Sequence, residues 1–331
     1  METIKMRLQY NNNKGISFIE LLIVLAIMSV VTSAIFTAFN SQHKVHVIQD
    51  EVVEMQQNVR VGIDMITEDV MMAGYKMGAT IQYTDLETPP APTPVVSITN
   101  SSTGTDQLVI YYVVNSSANL PDLTTSTPNN QSSTSAITTV VEELSDITYN
   151  PWLNYPTPFR VIITDGERCD LILINNVINN GVGTDDRLNH PSYGGVNNNR
   201  LIHSYPAGSK IIFLPESSMV TYQINSNTLQ RQSGLTGGTF DTVADDIENM
   251  QCAYILADGT EIADGSITTA QYEDVRAVRV TLVSRTRSLD SSWTSEGQPG
   301  FEDFAAVATS DGYRRRSLTA VVKIRNLGLE G

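Results

Sequence analysis

The most regular feature of the chain is an apolar run, ISFIELLIVLAIMSVVTSAIFTAF, over residues 16–39. From Leu21 to Phe39 it holds 19 residues without a charge, close to the ~20 that a helix needs to cross a bilayer. From residue 45 the apolar positions become Val45, Ile48, Val52, Met55, Val59, Ile63, Ile66 and Val70. Spacings of three and four predict a helix with one apolar stripe. Asp50, Glu51, Glu54, Arg60, Asp64, Glu68 and Asp69 fall off that stripe. No proline precedes Pro89, and Gly74 is a natural stop. A single helix over residues 16–73 would be roughly 87 Å long at the standard rise. A two-stranded coiled coil is the alternative for its second half.

After Gly78 the period shortens. A proline-rich spacer, residues 88–94, precedes short β-rich runs separated by polar loops. Residues 107–114, 160–164, 171–174, 210–214 and 220–224 read as strands. Residues 275–284 and 317–324 alternate apolar with polar positions, as half-buried strands do. Residues 245–252 fit a short helix or the start of a strand equally well. Two stretches, 115–138 and 175–200, are rich in Ser, Thr, Asn and Gly and read as long loops. The expected architecture is α+β, a long N-terminal helical spine packed on an antiparallel sheet within one globular domain.

Charge orients the chain. Residues 1–15 carry Lys5, Arg7 and Lys14 against Glu2, and only Lys44 follows the apolar run within fifteen residues. The excess of cations on one flank places the N-terminus in the cytoplasm and the bulk outside. A cleaved secretory signal would have a shorter apolar core and a small-x-small site. Here Thr32-Ser33-Ala34 is a poor site, and the helical pattern runs straight past it. The net charge of -15 argues against nucleic acid as a partner, because phosphate backbones call for a basic surface. Glu20 is the anomaly, since a carboxylate in an apolar segment costs a few kcal/mol unless hydrated or paired. A cut after Gly15 would create a new amine on Ile16, four residues from Glu20.

The residues Lys14-Gly15 followed by Ile16-Ser17-Phe18-Ile19-Glu20-Leu21-Leu22 resemble a prepilin, the precursor of a type IV pilin or pseudopilin. The resemblance implies that a prepilin peptidase cuts after Gly15 and N-methylates Ile16. It also implies that Glu20 guides docking of the subunit into a filament. The first mature residue is most often Phe in that family, and here it is Ile. Met55-Gln56-Gln57-Asn58-Val59-Arg60 and Met72-Ala73-Gly74-Tyr75 narrow the likeness to the PilW group of minor pilins. Short segments at 104–108, 220–222, 229–231, 247–254 and 314–327 resemble that group in the same order, whereas residues 115–200 match least.

The resemblance implies a type IV pilin-like fold divided into four parts. They are a cytoplasmic leader (1–15), a transmembrane or filament-core half-helix (16–40), an amphipathic half-helix (41–75) and an extracytoplasmic β-rich domain (76–331). It further implies a minor pilin that is anchored in the inner membrane by a single pass, joins a complex priming pilus assembly, and lies at the pilus tip once assembled. The partners would be other minor pilins, the major pilin, the inner-membrane assembly platform and the prepilin peptidase. A J-type pseudopilin of type II secretion shares these features, and a tip adhesin would use the two long loops.

Chemistry is sparse elsewhere. Cys169 and Cys252 are the only cysteines, and outside the cytoplasm an even pair favours a disulfide. It would close a loop of about 83 residues, worth roughly 4 kcal/mol in the chain-entropy picture. A free thiol is the alternative. No G-x-S-x-G, H-E-x-x-H, P-loop or dinucleotide fingerprint is present. His43 and His46 lie three apart without a third zinc ligand at a usual spacing, and neither His190 nor His203 has a nucleophile beside it in sequence. Asp258, Glu261 and Asp264 form an acidic loop with the oxygen chemistry of calcium but without EF-hand spacing. We therefore expect no enzyme, no cofactor and no metal centre.

Overall fold

The structure, a computed structural model, describes residues 15–83, 93–113, 123–124, 138–141, 158–166, 168–178, 186–190, 201, 203–214, 218–234, 238–308 and 311–327. The leader residues 1–14, the start of the proline-rich spacer and most of the two polar stretches lie outside them.

After α1 (Phe18–Met72) come β1 (Thr80–Tyr83), β2 (Thr93–Pro94), β3 (Val96–Thr99), β4 (Gln107–Tyr111), β5 (Leu123–Thr124), β6 (Thr138–Val141), β7 (Phe159–Thr164), β8 (Arg168–Ile174) and β9 (Asn176–Ile178). The second half holds β10 (Asp186–Asn189), β11 (Lys210–Phe213), β12 (Met219–Asn225), β13 (Thr228–Ser233), β14 (Phe240–Asp245), β15 (Ile247–Leu256), β16 (Glu261–Ile262), β17 (Val275–Arg285) and β18 (Arg315–Lys323). The chain forms two compact units, residues 1–51 and 52–331. In the first, the described residues are helical from Phe18 and expose their apolar side chains. The run is long and apolar enough to cross a membrane.

In the second unit the strands form four sheets. Their orders are β2-β1-β8-β7-β11-β5, β6-β10-β9, β14-β13-β12-β4-β3 and β16-β15-β17-β18. Pairing is antiparallel except between β1 and β8, which run parallel. That pair departs from the wholly antiparallel sheet expected from the sequence. In the β6-β10-β9 sheet, β9 and β10 come from the stretch 175–200 read as loop, whose Asn-rich segments lack an apolar alternation to betray them, and β6 begins at the end of the other loop stretch. Of residues 245–252, Asp245 ends β14, Asp246 turns with a positive φ, and Ile247 onward is strand. Met250, Cys252, Tyr254 and Leu256 of β15 enter the main core while Gln251 and Ala253 are also buried, so neither face shows the polar alternation of a half-exposed strand.

The predicted stripe of α1 is buried from Met55 onward, with Ile66 and Val70 fully so. Each such side chain is worth about 1.5–3 kcal/mol of apolar burial. They join Leu108, Ile110, Tyr222, Leu229, Val280, Leu282 and Val322 in one core. Gly62 lets the helix lie close on the sheets, because a Cβ there would come within 2.8 Å of Leu229 and 2.9 Å of Leu282 side-chain atoms. The six-stranded sheet is buried on both faces. Ile162, Leu171 and Ile212 face the main core, while Val161, Ile163, Ile172, Ile211 and Phe213 form a second core with Leu188, Leu201 and Tyr205.

The helix ends where the sequence indicates. Gly74 takes the left-handed φ of 72° that suits glycine after a helix, and its N–H donates to the Tyr111 carbonyl at 2.9 Å. Asn326 Nδ2 donates to the carbonyls of Met72 (3.2 Å) and Ala73 (3.1 Å). The terminal carbonyls thus find partners within the protein instead of water.

Candidate functional site

Gly15 and Ile16 precede the first helical residue, and Ile16 is 77% exposed. α1 opens with the Leu21 N–H donating to the Ser17 carbonyl at 3.1 Å. Glu20 lies in the first turn, where the unsatisfied N–H groups of a helix favour an anion. Around it Phe18, Ile19, Leu21, Leu22, Ile23 and Val24 are all exposed. One carboxylate is therefore embedded in an apolar cylinder, close to an exposed glycine that precedes the helix. Burial of that surface against other apolar helices would be strongly favourable. It would require Glu20 to be paired or protonated.

The structure does not join Cys169 to Cys252, which corrects the expected disulfide. Both are buried thiols. They occupy different sheets, Cys169 on β8 and Cys252 on β15. The Cys169 thiol donates to the Thr80 carbonyl at 3.0 Å, and burial pushes the Cys252 thiol well up. Thiols held this way are poor nucleophiles. Maleimide labelling of the folded protein should leave both unmodified, and denaturant should expose two reactive thiols. Rapid labelling before unfolding, or no labelling after it, would contradict this burial.

Three further groups show where sequence reasoning stopped short. Asp69, assigned to the polar side of the helix, is buried at 8% exposure. It accepts hydrogen bonds from Tyr112 Oη (2.7 Å), from Tyr222 Oη, and from Arg231 Nε (2.9 Å) and Nη2 (3.3 Å). Burial first, and then the Asp69 carboxylate, raise both tyrosine hydroxyls above their usual range, so both remain donors. Asp69 follows Ile66 by three and Gly62 by seven, the spacing of the buried face. That spacing is the signal that could have found it.

His203, which has no nucleophile beside it in sequence, meets a carboxylate in the fold. Its Nδ1 lies 2.7 Å from Asp170 Oδ1, and its backbone N–H donates to Asp170 Oδ2 at 2.9 Å. The neighbouring Cys169 packs in the main core. The acidic loop forms ordinary turns: Asp258 accepts the Thr260 N–H (2.8 Å) and Asp264 the Ser266 N–H (3.0 Å).

Asp106 is buried with both oxygens accepting backbone N–H groups, from Ser101 (2.9 Å) and Cys252 (2.8 Å). Burial, the largest influence, pushes its carboxyl up to about 6, with Asp303 and Glu302 adding repulsion. The folded state therefore holds this proton more tightly than the unfolded state does. The resulting stability is present below about pH 4 and is lost as pH rises through about 6, by up to about 3 kcal/mol. Denaturant unfolding at pH 4, 5, 6 and 7 should show this decline, and Asp106→Asn should remove it. An equal slope in the variant would assign the dependence to other groups.

Comparison with known proteins gives three results. Residues 216–326 match the family of type IV pilus-assembly protein W, PilW. Residues 10–36 match the prokaryotic N-terminal methylation motif. Among solved structures, the type IV-like pilin TTHA1219 from Thermus thermophilus aligns over 82% of this chain and 96% of its own, at 12% identity and a TM-score of 0.38. Among curated proteins nothing matches.

Proposed function

We propose that this chain, whose residues 216–326 match the PilW family and residues 10–36 the N-terminal methylation motif, is a minor pilin. It is inserted with residues 1–15 in the cytoplasm, cut after Gly15, methylated on Ile16 and assembled through residues 16–40 into the complex that primes a type IV pilus. Residues 41–75 tether the β-rich domain, residues 76–331, outside the inner membrane and finally at the pilus tip. Its partners on this reading are the other minor pilins, the major pilin, the inner-membrane assembly platform and the prepilin peptidase. The role is structural and involves no catalysis.

One observation carries the reading: an exposed apolar segment, residues 16–39, with a single carboxylate, Glu20, one turn after the accessible Gly15-Ile16 bond. In lipid the apolar surface is solvated by acyl chains. On leaving the membrane it must be covered, and helices of neighbouring subunits can cover it. A neighbour's Ile16 amine would neutralise Glu20 as water is excluded, since an unpaired buried charge is strongly unfavourable. That pairing selects the axial position of the incoming subunit.

The test is the N-terminal residue and mass of the full chain purified from membranes of a host with an active prepilin peptidase. N-methyl-Ile16 is the expected result. An intact Met1 would overturn the reading and leave a simple membrane anchor.

A further inference from the structure

Edge strands expose unpaired backbone groups, and proteins ordinarily blunt them by keeping them short, bulged or interrupted by proline. Most edges here are short. β2, β5 and β16 have two residues each, β9 has three, and β3 and β6 have four. β18 is different: it has nine residues and pairs with β17 over nine consecutive positions without a bulge. Among the described residues its other edge has no strand partner. Its outward side chains Ser317, Thr319, Val321 and Lys323 are also exposed, with Val321 at 56%. The same face of β17 is covered: Thr281 and Val283 are buried there, and Arg279 is held by Glu302.

The charge of this edge stands apart from the rest of the chain. Residues 313–327 contain five Lys or Arg and no Asp or Glu, in a protein of net charge -15. Arg314 and Arg315 are engaged by Asp290, Asp311 and Glu248. Arg316, Lys323 and Arg325 are exposed and make no ion pair among the described residues. The second longest edge, β14, has the opposite character. It is six residues long with one bulge, at Val243 in its pairing with β13, lies outermost in the five-stranded sheet, and exposes Asp241, Thr242 and Asp245.

The geometry points to β18 as a strand-docking edge whose occupant is the acidic edge β14 of a second copy of this chain. Main-chain hydrogen bonds supply the contact, as in other strand additions. The cations of β18 favour the carboxylates of β14 over another β18, which they would repel. Because the two surfaces differ, the contact is head-to-tail and does not close on itself. The inference rests on the proposed filament role only in that assembly brings two copies together.

Two differently tagged full-length copies, co-expressed in membranes, test this. One carries Thr319→Cys and the other Thr242→Cys, with the buried native cysteines silent to a short bismaleimide. A mixed cross-linked product is expected, with little product from two Thr319→Cys or two Thr242→Cys copies. Arg316→Glu with Lys323→Glu should lower the mixed product about tenfold, and Asp241→Lys with Asp245→Lys in the other copy should restore it. Restoration also rules out misfolding as the cause of the loss. No mixed product, a product indifferent to these charges, or a β18–β18 product would overturn the proposal. Should Ile16 be methylated normally while no cross-link forms, this proposal fails and the pilin reading stands.

Discussion

Replacing Asp69 by Ala is expected to destabilise the folded domain by about 3–5 kcal/mol, a cost typical of breaking one partner out of a buried ion pair. The carboxylate is bound by a guanidinium and two phenol hydroxyls at once. Its removal leaves Arg231 without its counterion and orphans the hydroxyls of Tyr112 and Tyr222. The three partners come from different places: Tyr112 just after β4, Tyr222 from β12 and Arg231 from β13. The cluster therefore fixes the last turn of α1 against one sheet in both position and rotation. Asp69→Asn should cost less, because the amide oxygen still accepts from a tyrosine while the charge attraction is gone. Denaturant titration of the detergent-solubilised full chain, followed by fluorescence, measures both. A change under about 1 kcal/mol for Asp69→Ala would mean that the apolar stripe alone holds the helix.

The second large effect concerns Glu20. Glu20→Ala should leave membrane insertion intact, since losing a carboxylate only makes the segment more apolar. Incorporation into pili should fall by about a hundredfold or more, corresponding to about 3 kcal/mol of lost pairing as water is excluded. The readout is the ratio of chain in sheared pili to chain in membranes, in a strain where Ile16 methylation is verified for the variant. Normal incorporation would remove Glu20 from the docking step.

Much of the architecture could be read from hydrophobic spacing. The helix runs Phe18–Met72 against the expected 16–73, and seven runs read as strands fall on β4, β7, β8, β11, β12, β17 and β18. The readings that failed have identifiable causes. Asp69 was assigned outside by residue type, although its angular position on α1 is inside. β15 was ambiguous because both of its faces are buried. The cysteines were paired by compartment logic, whereas β8 and β15 hold them in separate sheets. The β12–β13 hairpin turns on Ser226-Asn227, both with positive φ, a turn of the favoured hairpin class that lacks the usual glycine. The N-terminal methylation motif was legible because it is local. The Asp69 cluster spans residues 69 to 231, so no short window could reveal it.

Asn326 has a consequence for how the chain is made. Its amide closes the carbonyl end of α1, and Val322, Ile324 and Leu327 complete the same core that receives Ile66 and Val70. Roughly 250 residues separate the helix from these last contributions. At about 5–20 residues per second of synthesis, the helix waits roughly 13–50 s for its final contacts. Throughout that interval the apolar stripe from Met55 to Val70 is incompletely covered. A nascent subunit is therefore most vulnerable to premature association and proteolysis just before its C-terminal strand arrives. Truncation within the last fifteen residues should be punished far more severely than the loss of an equal length from a surface loop.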